Sequence, residues 1–129
     1  MTLRERLFSA MEETFFKALR KGRDTIKREE LKEKLDANDT GFLLDVRDPE
    51  LFAAGHIQGT VNIPAMDLPD RVNELPKELD SPIIVICING ARSGLATMFL
   101  KIHGYSDVRN LNWGMEGWED KDWPVVISL

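Results

Sequence analysis

Pro82-Ile83-Ile84-Val85-Ile86-Cys87-Ile88-Asn89-Gly90-Ala91-Arg92-Ser93 is the stretch on which the fold turns. Ile83 to Cys87 is apolar without a break, which reads as a strand buried on both faces. Pro82 marks its start. Gly90 offers the positive φ that a sharp turn needs. From Ser93 to His103 the chain reads as a helix, stopped by Gly104. The stretch is therefore strand, short loop, helix, with the chain's only cysteine at the strand's carboxyl end.

The same alternation continues on both sides. Ile26 starts a short strand, and Arg28 to Ala37 reads as a helix with Leu31 and Leu35 inward. Asn38 to Gly41 is a turn. Phe42 to Val46 is a second buried strand, and Pro49 opens a short helix that Gly55 ends. Thr60 to Ile63 is a strand closed by Pro64. Asp67 to Leu75 reads as a helix capped by Asp67. Val108 to Leu111 is a last strand, followed by a short helix around Met115 to Trp118 and a tail containing Pro124. Strands that alternate with helices predict an α/β fold, a central, mostly parallel five-stranded sheet with helices on both faces. Ligands gather at the carboxyl edge of such sheets. Cys87, Asp45 and Arg47 all fall on that edge.

Ahead of this unit lies one more helix. Thr2 and Glu5 have capping-box spacing, and Leu3, Leu7, Met11, Phe15 and Ala18 share one face, flanked by Phe8 and Leu19. Phe16 lies outside that stripe, and Gly22 is the expected stop. The chain divides into this N-terminal amphipathic helix and joint, residues 1–24, and one domain, residues 25–129. The simplest expectation packs the helix on its own domain. A homodimer contact or partner docking is the alternative.

The bulk composition narrows the function classes. The 129 residues are 43% hydrophobic and 30% charged, and the formal net charge is −5. That is one soluble globular domain with an acidic balance, which gives no support for nucleic-acid binding. Apolar runs such as Ile83 to Cys87 are too short to span a bilayer, so no membrane partner is expected. Glu5, Glu12 and Glu13 interrupt any signal-peptide core, which leaves a cytoplasmic location as the expectation. One cysteine forms no internal disulfide and no Cys-x-x-Cys metal clamp, so neither a metal nor another cofactor is expected. It is either an inert buried thiol or a reactive one.

The loop favours the reactive reading. With Gly90 at positive φ, successive backbone N–H groups would point inward as a nest, the helix start adds donors without intrahelical acceptors, and Arg92 adds a full positive charge. Such a setting favours thiolate over thiol and cradles an anion in the same place.

The motifs around it extend the pattern. Asp45-Val46-Arg47-Asp48-Pro49-Glu50-Leu51-Phe52-Ala53-Ala54-Gly55-His56-Ile57-Gln58-Gly59-Thr60-Val61-Asn62-Ile63-Pro64 resembles the N-terminal signature of rhodanese-domain sulfurtransferases. Gly114-Met115-Glu116-Gly117-Trp118 with Pro124-Val125 resembles their C-terminal signature, and the Cys87 loop resembles their active-site loop. The likeness runs from about Thr25 to Ile127. It implies sulfur transfer in two steps. Cys87 takes a sulfane sulfur from a small anionic donor such as thiosulfate, and an external thiol, cyanide or protein acceptor removes it. Ile88, Asn89, Gly90, Ala91 and Arg92 would hold the donor and the persulfide. Ser93, Asp45, Arg47 and Trp113 are supporting candidates, with a structural ion pair the simpler role for Asp45 and Arg47. His56 has a structural place in the motif. His103, near a helix end, suits the dipole there. Trp113 stands where the family has a glycine, and Asp122-Trp123 where it has glycine and a small apolar residue. Ile88 and Asn89 replace the basic residues of the thiosulfate-using prototype, leaving Arg92 the loop's only cation.

Two further functions fit less well. A non-catalytic rhodanese-like module would use the first helix as its handle, but such relatives often lack the cysteine. A Cys-based phosphatase or arsenate reductase places five residues between Cys and Arg. Only four separate Cys87 from Arg92, which suits a bowl for one sulfur rather than a tetrahedral oxyanion.

Overall fold

The computed structural model describes residues 1–21 and 24–128, apart from the side chains of residues 14–21, 91 and 92. Gly22, and the side chains of Phe15, Phe16, Ala18, Leu19, Ala91 and Arg92, thus lie outside the described residues. The elements in chain order are α1 (Leu3–Lys21), β1 (Thr25–Ile26), α2 (Arg28–Asp36), β2 (Phe42–Asp45), α3 (Pro49–Ala54), β3 (Val61–Asn62), β4 (Ile83–Ile86), α4 (Ala91–His103), β5 (Val108–Leu111) and α5 (Gly114–Glu119). The strands form one five-stranded sheet in the order β1-β5-β4-β2-β3. Every pairing in it is parallel.

The pleat of β4 explains its unbroken apolar sequence. Ile83 and Val85 face one side with Cys87, packing under Ala96 and Leu100 of α4. Ile84 and Ile86 face the other, packing against Leu31 of α2 and Met115 and Trp118 of α5. Alternate residues of a central parallel strand must be apolar on both faces. The sheet order also places the site. From β2 the chain moves outward to β3, and from β4 it moves the opposite way through α4 to β5. The carboxyl ends of β2 and β4 therefore flank the topological switch point, where the parallel fold leaves a crevice.

Two expectations need correction. Residues 67–75 do not form one helix capped by Asp67. They lie in two 3₁₀ turns, Ala65–Asp70 and Val72–Glu74. Pro69 is the physical reason, since it has no N–H to donate and disfavours an α conformation at the preceding residue. The helix after Cys87 begins at Ala91 rather than Ser93, because Gly90 adopts φ +98° and starts it early. In the tail, Val126 forms an antiparallel bridge with His56.

The first helix keeps its predicted cap. The Thr2 N–H donates to Glu5 Oε2 at 3.2 Å, and the Glu5 N–H donates to Thr2 Oγ1 at 3.1 Å. α1 lies beside α4. Its opening turns nevertheless leave Leu3, Leu7, Phe8 and Met11 exposed, so the domain does not cover the whole apolar stripe. Among the described residues no helix is long and apolar enough to cross a membrane.

Candidate active site

Two loops meet at the switch point. The first leaves β2. Asp45 and Arg47, 0% and 5% exposed, form a buried ion pair with Nη2 to Oδ2 at 2.8 Å. Arg47 Nε also donates to Asp45 Oδ1 at 3.0 Å, and Nη2 donates to the Gly55 carbonyl at 2.8 Å. The Arg47 N–H closes the turn onto Asp45 Oδ1 at 3.0 Å. Asn62 adds a clamp that its place in the sequence did not single out. Its amide donates to the carbonyls of Asp45 and Arg47, at 3.0 and 2.9 Å. Donors and acceptors are matched here, so the pair shapes the backbone, as buried charges must when they have partners. The side-chain hydrogen bonds described for Asp45 and Arg47 run to each other and to the Gly55 carbonyl. None reaches the Cys87 sulfur.

His56 completes this side. It is 8% exposed, its Nδ1 is 2.8 Å from the Phe52 carbonyl, and its ring stacks on Phe52 with centroids 3.8 Å apart. His103 also sits among rings, stacked between Phe99 and Tyr105. Ring packing accounts for both, with a hydrogen bond added at His56.

The second loop leaves β4 and carries Cys87, which is 2% exposed. The Gly90 N–H donates to Cys87 Sγ at 2.9 Å. Sγ is also 3.3 Å from Ser93 Oγ, which donates to the Gly90 carbonyl at 3.1 Å. Ser93 is fully buried on the first turn of α4. Were the sulfur ionised, the Ser93 hydroxyl could turn and donate to it, because a hydroxyl rotates to suit its partner. Ala91, Arg92 and Ser93 are the first three residues of α4, where N–H groups lack intrahelical acceptors and the dipole is positive. The sequence-predicted residues Cys87, Gly90 and Ser93 are thus brought together around one sulfur atom. Ile88 is 40% exposed at the loop surface.

α5 grips this loop from behind. The N–H groups of Met115 and Glu116 donate to the carbonyls of Cys87 and Ile88 at 2.8 and 2.9 Å. Gly114 permits the approach. A Cβ there would lie 2.3 Å from the Cys87 oxygen, and its φ is +54°. Trp113, just before it, is 66% exposed at φ +66°. The sequence marks Gly114 only as part of a motif, because the contact is made across the sheet edge.

Among the described residues no group of three or more His, Cys, Asp or Glu side chains could hold a metal ion. A cleft of about 420 Å³ exists elsewhere, on the α2 and α5 side, with Lys32, Leu35, Leu43, Ile57 and Trp118 among its lining. None of the described residues of the Cys87 loop lines it.

Comparison with known proteins agrees with this geometry. Residues 27–121 match the model of the rhodanese-like domain. The putative sulfur carrier protein YrkF of Bacillus subtilis is 36% identical over 96 residues, covering 74% of this chain and 51% of that protein. A thiosulfate sulfurtransferase GlpE, from Stutzerimonas stutzeri, is 38% identical over 81 residues, covering 63% of this chain and 72% of that one. The chain also spans 61% of the length of YqhL, another Bacillus subtilis relative. A solved rhodanese-like domain protein from Staphylococcus aureus superposes with a TM-score of 0.72 at 30% identity, covering 81% of this chain and 98% of that one. A five-stranded parallel sheet, a thiol seated on an amide at the switch point and a family match over most of the chain lead to one assignment: this chain belongs to the rhodanese-like domain family.

Proposed function

We propose that this chain is a sulfurtransferase that carries a sulfane sulfur on Cys87. The observation that carries the reading is the Cys87 sulfur, buried at the start of α4 with the Gly90 N–H on it at 2.9 Å. A thiolate there gains a backbone donor and the positive end of a helix, the ordinary means of activating a cysteine.

With thiosulfate as donor, the Cys87 thiolate attacks the outer sulfur. The S–S bond of the donor breaks, its electron pair leaves with sulfite, and Cys87 becomes a persulfide. Arg92, in the first turn of α4, would hold the anionic end of the donor. N–H groups of residues 88 to 92 would stabilise the persulfide anion. A thiolate or cyanide then attacks the outer sulfur, and the electron pair returns to Cys87 as thiolate. No second cysteine exists in the chain, so the acceptor is external. A reducing cytoplasm suits a thiol that must return to the free form after each cycle.

The exposed apolar side chains of α1 favour one addition, a second copy or a partner docked on that helix. Removal of residues 1–22 should then lower the mass in solution or release a partner. An unchanged mass and unchanged binding would argue against it.

The reaction is tested by thiosulfate:cyanide transferase assay of the intact chain and of Cys87→Ser. Replacing a catalytic nucleophile typically costs at least about 10³-fold in rate, so the serine variant should fall to background. Thiocyanate production surviving in Cys87→Ser would remove Cys87 from the mechanism.

A further inference from the structure

Trp113 is a costly residue for its position. It and Gly114 are consecutive left-handed residues, at φ +66° and +54°. Glycine takes that conformation freely, whereas a bulky side chain costs roughly 1–2 kcal/mol. Burial returns little of this, because the indole is 66% exposed. The neighbouring glycine makes room for it: a Cβ on Gly117 would lie 2.6 Å from the Trp113 Cβ. Strain held beside a reactive group is a sign of use.

The backbone at Trp113 lies against the Cys87 loop. Trp113 caps the helix turn whose Met115 and Glu116 N–H groups hold the Cys87 and Ile88 carbonyls. The Trp113 nitrogen is 3.7 Å from where a Gly90 Cβ would stand, next to the amide that meets the sulfur. Ile88, borne on one of those carbonyls, is 40% exposed. Two large apolar residues with exposed surface thus flank the loop, Ile88 next to Cys87 in the chain and Trp113 with its backbone beside Gly90. The loop itself offers isoleucine and asparagine rather than cations at positions 88 and 89.

We propose that Trp113 and Ile88 form an apolar lip at the entrance to Cys87, and that the lip selects an organic thiol with an apolar body as the sulfur acceptor. This rests on the sulfurtransferase reading above. The step is a balanced exchange. The acceptor thiolate attacks the outer sulfur of the Cys87 persulfide, the Cys87 S–S bond breaks, and its electron pair leaves as the Cys87 thiolate. The product is the acceptor's persulfide. The indole and the Ile88 side chain cover the acceptor's apolar body while its sulfur reaches into the loop, a contact that cyanide is too small to make.

The test loads Cys87 with sulfur from thiosulfate and follows discharge by intact mass, with benzyl mercaptan and cyanide as competing probes. In the unaltered chain benzyl mercaptan should show a preference, expressed as the ratio of the two second-order rate constants. Trp113→Gly should lower that ratio about fivefold to tenfold, the worth of one aromatic contact. Gly117→Ala, which crowds the Trp113 Cβ, should lower it as well. Trp113→Gly with Gly117→Ala should be no worse than Trp113→Gly alone. A ratio that stays the same in Trp113→Gly, or effects of the two substitutions that simply add, would overturn the lip. Failure of the unaltered chain to take up sulfur from any donor would instead overturn the sulfurtransferase reading beneath it.

Discussion

The loops after β2 and β4 leave adjacent parallel strands at the same sheet edge, yet they are built in opposite ways. The β2 loop is fastened by side chains. Asp45 and Arg47 neutralise each other, and Asn62 ties both backbones down. The β4 loop is fastened by backbone. Its carbonyls go to the α5 amides, and its Gly90 amide is given to a sulfur. One loop uses its charges for shape. The other turns the Gly90 donor onto the Cys87 sulfur, the group that changes charge in the proposed reaction. In the proposed reaction the first loop shapes the crevice and the second acts in it, a division that substitutions can test.

Arg47→Ala should show the largest effect on stability. It leaves the Asp45 carboxylate buried without its partner, which costs about 3–5 kcal/mol. The urea midpoint should fall accordingly, while the folded fraction still takes sulfur onto Cys87. A midpoint close to that of the parent would mean that the ion pair is not the fastener. Gly114→Ala comes next, at about 2–4 kcal/mol, from left-handed strain together with a Cβ pressed on the Cys87 carbonyl. Here persulfide formation should slow as well, because the loop must move. Loss of stability without any change in rate would uncouple α5 from the sulfur.

Asn62→Ala removes two hydrogen bonds from the β2 loop and should cost about 1–2 kcal/mol with little change in reactivity. Thermal unfolding and the persulfidation rate, measured together, check this. Gly90→Ala should be the mildest for the fold, about 1 kcal/mol, since only the φ of +98° opposes it and no atom stands closer than 3.7 Å to the new Cβ. Its effect on sulfur uptake should exceed its effect on stability, the reverse of Asn62→Ala. The same ranking on both readouts would erase the distinction between the loops.

Much of this was legible in the chain itself. Ile83 to Ile86 could only be a strand buried on both faces, and Pro49 and Gly55 bracket α3 as their backbone chemistry requires. Thr2 and Glu5 announce a capping box that the structure forms. The misses have local and tertiary causes. Pro69 divides residues 67–75 into 3₁₀ turns, although their apolar spacing suits a helix. The stripe of α1 is helical and α1 lies beside α4, while periodicity alone does not say which part of a helix the domain covers. At the site, strand-end placement and Gly90 marked the loop, and they identified Cys87, Gly90 and Ser93 as neighbours. The grip of α5 on the loop carbonyls, the Asn62 clamp and the His56–Val126 bridge were not legible, since each joins residues far apart in the chain.

The central claim is that Cys87 accepts a sulfur atom. Its most direct measurement is the intact mass of the full chain after incubation with thiosulfate and removal of excess reagent. One sulfur should be added, located on Cys87 by peptide mapping, reversed by cyanide and absent in Cys87→Ser. A mass that stays unchanged with thiosulfate and with a panel of other sulfane donors, in a folded protein with a free thiol, would contradict it.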